Sequence, residues 1–297
     1  MTFADRNKFY VKLVNDKLKK LFAEQNCLQK SVYDAMSYSV LAGGKRIRPV
    51  LCLAVCDMLG GNLEDALRFA VGLECIHTYS LIHDDLPCMD NDDLRRGRPT
   101  CHKQFDEATA LLAGDGLLTY AFEYMTDLAD FKKIDAKAVL KIANEIAKGA
   151  GCKGMIGGQV VDLESEGKSA LDEETLTYMH NRKTGALIRI SVFAGAVCGG
   201  ASDEETEALL RYADGLGLAF QIQDDILDCI GDTSVLGKPI GSDAENEKTT
   251  YVTLLGLEKA KEKAKTLTDD AIDALKIFGD KAEFLKELAN YLMDRDY

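Results

Sequence analysis

Apolar residues recur three and four positions apart along most of this 297-residue chain. That spacing places them on one face of a helix. The alternation of apolar and polar residues that is typical of strands bounded by hairpin turns does not occur at any convincing length. The pattern therefore predicts an all-α protein. The clearest predicted helices cover residues 31–41, 49–59, 63–83, 108–128, 173–197 and 203–229.

Apolar residues make up 46% of the sequence, which is enough to bury a sizeable core. The sequence contains no linker rich in proline, glycine or serine and no low-complexity tract. Nothing in the composition marks a boundary between two domains. We therefore expect a single domain over residues 1–297.

Charge and cysteine usage narrow the possible partners and compartments. The formal net charge is −13, and a field of this sign repels both nucleic acid and anionic membrane surfaces. The chain has no run of about eighteen apolar residues to span a bilayer, and its N-terminal residues lack the apolar core of a signal peptide. Nine cysteines without a Cys-x-x-Cys pair indicate buried thiols in a reducing compartment. A soluble cytoplasmic protein is expected.

Two clusters of aspartate, at residues 84–90 and 224–228, each follow a long apolar segment. In the second cluster, Asp224 and Asp228 are four positions apart, which places both carboxylates on one face of a helix with Asp225 beside them. Carboxylates that repel each other at the end of a buried segment need a counter-charge, and hard divalent cations prefer carboxylate oxygen. Mg²⁺ is therefore the expected partner, although a single acidic cluster is more often a solvated surface.

Local positive charge occurs in three places despite the acidic composition. Residues 42–49 read Ala-Gly-Gly-Lys-Arg-Ile-Arg-Pro, where the glycines let backbone amides approach a phosphate and the basic side chains can donate to it. In residues 92–100, Arg95 and Arg96 could bind an anion or could equally pair with Asp92 and Asp93 beside them. Basic residues at 183 and in the loop 236–239 form the third place. Cations and carboxylates alternating around one cavity would fit a diphosphate bridged by metal ions.

Five segments carry a family resemblance. In chain order they are Gly-Gly-Lys-Arg-Ile-Arg-Pro, Ser-Leu-Ile-His-Asp-Asp-Leu-Pro-Cys-Met-Asp, Asp-Leu-Arg-Arg-Gly-Arg-Pro-Thr, Lys-Thr-Gly and Phe-Gln-Ile-Gln-Asp-Asp-Ile-Leu-Asp. This order closely resembles the short-chain trans-isoprenyl diphosphate synthases, and most nearly the bacterial farnesyl diphosphate synthases. The resemblance implies an all-α isoprenoid-synthase fold, a bundle of about ten helices around a central cavity, usually assembled as a homodimer.

The same resemblance implies binding roles for the matching residues. Mg²⁺, with three ions when diphosphate is bound, would be held by Asp84, Asp85, Asp90, Asp224, Asp225 and Asp228. The head group of isopentenyl diphosphate, which binds without metal, would be held by Lys45, Arg48, His77 and Arg96. The allylic diphosphate would be gripped further by Arg95, Lys183 and Lys238. Without the family match, His77 would more often be a core histidine whose hydrogen bonds are satisfied.

Thr184 and Gln221 resemble the neutral oxygens that lie over the reacting carbons, where a helix kink also exposes backbone carbonyls. Neutral dipoles stabilise a carbocation without capturing it as an adduct. Together with Arg95 and Lys183 they form the expected catalytic group. The residues expected only to support or wall the site are Phe220, Gln223 and Lys248.

The implied reaction condenses an allylic diphosphate, dimethylallyl or geranyl, with isopentenyl diphosphate by ionisation, condensation and elimination. Tyr79 and Ser80 lie about one helical turn before Asp84, where they are expected to form the floor against the growing hydrocarbon. An aromatic residue at this place resembles the enzymes that stop at fifteen carbons, which favours farnesyl diphosphate as the main product. Geranylgeranyl diphosphate is the alternative product if Tyr79 instead points into the helix–helix core.

Three other protein classes fit parts of the sequence. A class I terpene cyclase shares the first aspartate cluster, but it carries a different second motif and needs no second diphosphate pocket. A noncatalytic prenyltransferase subunit would have lost one cluster, and no segment matches the calcium-binding loop of an EF-hand protein. Residues 293–297 contain a single basic side chain, Arg295, so closure of the site by a basic tail is not expected.

Overall fold

The computed structural model describes residues 1–165, 171–230 and 249–294. Within these ranges the chain is built from α-helices. In chain order they are α1 (Phe3–Leu21), α2 (Lys30–Val40), α3 (Ile47–Met58), α4 (Leu63–Asp84), α5 (Cys101–Gln104), α6 (Glu107–Thr126), α7 (Ala136–Ala150), α8 (Met155–Ser165), α9 (Glu173–His180), α10 (Ala186–Gly199), α11 (Asp203–Ile230), α12 (Tyr251–Leu255), α13 (Leu257–Ala274) and α14 (Glu283–Met293).

The prediction of an all-α protein is confirmed. Strands β1 (Leu94–Arg95) and β2 (Arg98–Pro99) form a short antiparallel hairpin after α4. Two 3₁₀ segments, Leu128–Asp130 and Leu275–Ala282, continue or connect helices. In the part of the chain that the structure describes, no helix is both long enough and apolar enough to cross a bilayer.

Side-chain caps set where several helices begin. Asn62 accepts hydrogen bonds from two backbone amides in the first turn of α4. Asp106, Asp135 and Asp172 accept one each at the starts of α6, α7 and α9. These caps satisfy amides that have no partner inside the helix. They explain why α6 begins at Glu107, one residue before its predicted start.

Helices α4 and α10 lie at the centre of the bundle. Helix α4 packs against α3 and α6, and α10 packs against α3, α7 and α11. Both are apolar on nearly every side, as expected of helices surrounded by other helices. Their neighbours approach closely, since a Cβ at Gly195 of α10 would lie 2.4 Å from the carbonyl oxygen of Cys52 in α3. The main hydrophobic core extends from Tyr10 in α1 to Leu292 in α14.

The predicted helix 173–197 is interrupted in the structure. Helix α9 ends at His180, a π-helix covers Asn181–Gly185, and α10 follows directly. Single π-turns inside helices are rare and occur frequently at functional sites. Here the wider turn carries Lys183 and Thr184 toward the centre of the molecule, where both line a cavity.

Candidate active site

One cavity of about 550 Å³ lies beside the C-terminal half of α4. Its walls come from α4, α6, α8 and the π-helix, and most of its lining side chains are apolar. The cavity brings together predicted residues from distant parts of the chain. These residues are Arg48, His77, Tyr79, Ser80, Asp84, Lys183 and Thr184.

Asp84 ends α4 at this cavity, and the chain then folds back on itself. The amide of Asp90 donates to the carbonyl oxygen of Asp84 at 2.9 Å, which keeps the two residues together. Burial raises the pKa of the Asp84 carboxyl, Lys183 lowers it, and the charges of Asp90 and Asp162 raise it again. A cation held between these carboxylates would relieve their repulsion.

Asp85 lines a small neighbouring pocket and not the cavity itself. The carboxylate is buried, and its two oxygens accept hydrogen bonds from Nε of Arg95 at 2.7 and 2.9 Å. Arg95 also reaches Asp92 at 3.6 Å, so one of the ion pairs that the sequence left open is formed. Asp85 therefore fixes Arg95 in this neighbouring pocket, and metal ligation by Asp85 itself stays a prediction.

The second aspartate cluster is linked to the cavity wall through Thr184 and Arg48. The hydroxyl of Thr184, in the cavity wall, donates to Oε1 of Gln221 on α11 at 2.8 Å. Asp224 and Asp228 follow Gln221 by three and seven positions, which places all of them on one face of α11. The charge of Asp224 also raises the pKa of Arg48, another residue of the cavity wall. These contacts bring the second cluster near the cavity that Asp84 lines, and a metal site shared by the two clusters stays a prediction.

Asp225 has a different environment from its neighbour in sequence. It is buried, and its Oδ2 accepts the backbone amide of Tyr251 at 2.8 Å. The same oxygen lies 3.8 Å from Nε2 of His180, whose ring stacks on the ring of Tyr251. Burial lowers the pKa of His180 to about 4, so this imidazole is neutral at pH 7. Asp225 fastens the start of α12 to α11, and its metal ligation stays a prediction.

The aspartates fit Mg²⁺ by their chemistry, because every one of them offers hard carboxylate oxygen. Across residues 1–165, 171–230 and 249–294, no three His, Cys, Asp or Glu side chains converge closely enough to hold a metal ion by themselves. Mg²⁺ commonly binds through one or two carboxylates and completes its shell with water and substrate phosphates. The arrangement therefore fits ions that are held jointly by the protein and a diphosphate.

The charges of four arginines act on His77, which lines the cavity. Burial and the charges of Arg48, Arg96, Arg95 and Arg46 keep the pKa of His77 well below its usual value, so its ring is neutral at pH 7. Burial lowers the pKa of Arg48 to about 10, which still leaves the side chain charged. Its Nε is buried without a hydrogen-bond partner among the described residues. Clustered guanidinium groups of this kind suit an anion that binds without metal.

Lys45 lies apart from the main cavity. It is exposed and lines a groove of about 440 Å³ that α1 and α14 form with the start of α3. Phe220 packs against the main core, and Gln223 is half-buried next to Asp224. The predicted residues that lie outside the described ranges are Lys238, Lys248 and Arg295.

Two residues of α8 belong to the site although the sequence reasoning did not identify them. Gln159 donates from Nε2 to Oδ1 of Asp84 at 2.5 Å, and Asp162 accepts from Nζ of Lys183 at 2.6 Å. Both reach the site because α8 lies against the π-helix at Gly158, where a Cβ would be 2.2 Å from the backbone nitrogen of Lys183. The available signal was a glutamine and an aspartate three positions apart in an otherwise apolar helical segment.

Tyr79 and Ser80 line the cavity one turn before Asp84. Tyr79 is 5% exposed, and its hydroxyl has no hydrogen-bond partner among the described residues. Its ring meets the ring of His83 edge-on, with centroids 5.7 Å apart. The Ser80 hydroxyl donates to the carbonyl oxygen of His77 at 2.9 Å, within its own helix. Tyr79 therefore presents the bulky side chain at the position predicted for the cavity floor.

Comparison with known proteins identifies the family of the chain. Residues 29–291 match the family model described as polyprenyl synthetase. The chain is 54% identical over 229 residues to a farnesyl diphosphate synthase of Geobacillus stearothermophilus, covering 77% of this chain and 76% of that protein. It is 45% identical over 284 residues to a geranylgeranyl diphosphate synthase of Cyanophora paradoxa, covering 96% and 93%.

A solved structure of a geranyltransferase from Helicobacter pylori, complexed with magnesium and isoprenyl diphosphate, is similar over nearly its whole length. The TM-score is 0.84 at 36% identity, and the alignment covers 97% of this chain and 96% of that one. The isoprenoid-synthase fold expected from the sequence is thereby confirmed. The chain belongs to the polyprenyl synthetase family, and the prediction of a prenyltransferase is confirmed.

Proposed function

We propose that this enzyme joins dimethylallyl or geranyl diphosphate to isopentenyl diphosphate and releases mainly farnesyl diphosphate. The observation that carries the proposal is one apolar cavity bordered by two different kinds of anion-binding group. Carboxylates at Asp84 and Asp224 suit a diphosphate that brings metal ions, whereas Arg48 and Arg96 near His77 suit a diphosphate that does not. Two diphosphates of different binding chemistry are what a condensing prenyltransferase needs.

Lys183 and Arg95 would hold the allylic diphosphate and stabilise the negative charge that develops as it leaves. Arg48 and Arg96 would hold isopentenyl diphosphate so that its double bond faces the allylic carbon. Arg48 and Arg96 already lie together near His77. This arrangement lowers the free energy needed to orient the second substrate. Lys45, Lys238 and His77 keep their expected roles as further contacts to the two diphosphates.

Thr184 and Gln221 would stabilise the allylic cation. Their oxygens are 2.8 Å apart where the π-helix meets α11, and Thr184 lines the apolar cavity. Neutral oxygen dipoles there favour a positive charge and form no stable bond with it. After the new carbon–carbon bond forms, a proton leaves the condensed cation for the departed diphosphate, so no strong protein base is required.

Mg²⁺ is the proposed cofactor, held by the aspartates of the two clusters, with three ions when diphosphate is bound. When bound it would neutralise the diphosphate and make it a better leaving group. The negative charges of Asp90 and Asp162 near Asp84 support a cation at this place. The magnesium and isoprenyl diphosphate in the related Helicobacter pylori structure support the same assignment.

Farnesyl diphosphate is the proposed main product because the Tyr79 ring occupies the cavity wall below Asp84. Geranylgeranyl diphosphate is the second candidate, since the relatives include geranylgeranyl diphosphate synthases.

All nine cysteines are free thiols, in keeping with the proposed cytoplasmic location. The continuous main core supports a single domain.

We also propose a homodimer. Large apolar side chains are exposed on neighbouring helices, at Leu112 of α6 and Leu140 of α7. Such a surface on adjacent helices is typical of a protein–protein contact. A second copy of this chain is the proposed occupant, and gel filtration with light scattering measures the assembly directly.

Incubation with dimethylallyl diphosphate, isopentenyl diphosphate and Mg²⁺ tests the proposed function. We expect a fifteen-carbon diphosphate when both substrates are present, identified by chromatography after dephosphorylation. No product is expected with either substrate alone. A cyclic hydrocarbon formed from an allylic diphosphate alone would contradict the proposal and identify a terpene cyclase.

A further inference from the structure

Glu74 is a buried carboxylate in the middle of α4, one turn before His77. Its Oε1 accepts a hydrogen bond from Nη1 of Arg46 at 2.5 Å, and the two side chains are 2% and 1% exposed. Removing one partner of such a pair leaves an uncompensated buried charge. The pair ties the centre of α4 to the basic loop that leads into α3.

Arg46 adopts a left-handed backbone conformation, with φ 52°, just before the first turn of α3. This region is uncommon for a residue with a side chain, so surrounding contacts must hold it there. Besides Glu74, its guanidinium donates to Oδ1 of Asn15 at 3.1 Å and to the carbonyl oxygen of Val40 at 2.7 Å. The same turn sets the direction in which the chain reaches Arg48.

The charge of Glu74 also acts on the rest of the arginine group. Burial lowers the pKa values of Arg48 and Arg96, and Glu74 is the strongest influence that opposes the lowering in both cases. Arg96 is itself left-handed, with φ 54°, and a Cβ at Gly44 would lie 2.7 Å from its Cζ. The loop before α3 and the β1–β2 hairpin are thus in close contact, with their guanidinium groups near one another.

We propose that Glu74 is a positioning residue for the pocket that binds the diphosphate of isopentenyl diphosphate. It holds Arg46 in the left-handed turn that directs Arg48, and its charge allows the three guanidinium groups of this pocket to lie together before an anion arrives. The pocket keeps a positive excess, because three cations share one fully buried carboxylate. This inference rests on the proposed function, which assigns the pocket to isopentenyl diphosphate.

Glu74→Gln tests the inference, because it keeps the size of the side chain and an oxygen that can accept from Arg46 but removes the charge. We expect the KM for isopentenyl diphosphate to rise about tenfold or more, while the KM for the allylic diphosphate stays within about twofold. Arg46→Lys keeps the charge but loses the planar guanidinium group that donates to three acceptors. We expect the same selective rise in the KM for isopentenyl diphosphate.

Asp65→Asn is the matched control. Asp65 is fully buried on the same helix and accepts three backbone amides of residues 132–134. Its loss should lower the unfolding temperature and leave both KM values unchanged. If Glu74→Gln behaves like this control, or raises both KM values equally, the positioning role is overturned.

Calorimetric titration of isopentenyl diphosphate in the presence of EDTA separates this inference from the proposed function. Wild-type protein should bind the ligand without metal, and Glu74→Gln should bind it about tenfold more weakly. Equal affinity of the two proteins overturns the role of Glu74 even if the enzyme is active. Absence of product from wild-type enzyme with both substrates overturns the proposed function, whatever the titration gives.

Discussion

Lys183 and Asp162 form an ion pair between the π-helix and α8, with Nζ 2.6 Å from Oδ2. The two side chains are 28% and 10% exposed, so water screens the pair only in part. Asp162 therefore fixes where the lysine places its charge beside Asp84. Asp162→Asn should release the lysine and raise the KM for the allylic diphosphate about tenfold, with little change for isopentenyl diphosphate. Steady-state kinetics with each substrate varied in turn measure this.

Asp93→Asn provides the control for that variant. Asp93 pairs with Lys103 at 2.8 Å on the surface, where ion pairs contribute little. We expect wild-type kinetics from it. An equal rise in both KM values for Asp162→Asn would contradict a specific role for the pair at the allylic site.

The close approach of α8 to the π-helix gives a steric prediction. In Gly158→Ala, the new methyl group would lie 2.2 Å from the backbone nitrogen of Lys183 and must push the two elements apart. Displacement of catalytic groups by about 1 Å can lower activity about a hundredfold. Gly185→Ala is the matched control, because the nearest atom to its new methyl group would be the carbonyl oxygen of His180 at 3.6 Å, an ordinary contact distance. Similar activity of the two variants would contradict this account of the helix contact.

Tyr79→Ala should lengthen the product. Loss of the ring opens the cavity below Asp84, so a chain longer than fifteen carbons can be accommodated and the product distribution shifts toward geranylgeranyl diphosphate. Tyr79→Phe keeps the ring and removes a buried hydroxyl that has no partner among the described residues, so its products should match the wild type. An unchanged distribution in Tyr79→Ala would show that another residue forms the floor.

The general arrangement of the site could be predicted from sequence because it depends on local pattern. Periodic apolar residues located α4 and α11, and the aspartates at their ends follow from position in the chain. The different environments of Asp84 and Asp85 could not be predicted in the same way. Neighbouring residues on a helix point about 100° apart, and the partner of Asp85 is Arg95 from the following hairpin.

Contacts between distant segments account for the rest of what the sequence did not reveal. Gln159 and Asp162 lie 75 and 21 positions from the residues they bind, and they reach them only because α8 packs against the π-helix. Likewise, the backbone amide that donates a hydrogen bond to Asp225 belongs to Tyr251, 26 positions later. Helical periodicity contains no information about such pairings, since it describes one element at a time.

His180 gives a stability prediction with a definite sign. Its pKa is about 4 in the folded protein, below the usual 6.5, because burial disfavours the charged ring. Well above pH 6.5 the ring is neutral in both states and has no effect on stability. As the pH falls toward 4, the unfolded chain takes up a proton that the folded chain does not, so stability is lost in this window.

His180→Phe keeps a flat ring that can stack on Tyr251 but cannot be protonated. Between pH 7 and pH 5, the wild type should lose about 2 kcal/mol more unfolding free energy than this variant. Urea unfolding at the two pH values measures the difference. Parallel losses in the two proteins would show that His180 does not titrate as described.

The central claim is that Asp84 and Asp224 serve one shared diphosphate site. Calorimetric titration of inorganic pyrophosphate in the presence of Mg²⁺ into wild type, Asp84→Asn, Asp224→Asn and the double variant tests it most directly. Each single variant should lose most of the binding free energy and the double variant little more, because both carboxylates act through the same bound group. Losses that simply add in the double variant would contradict a shared site.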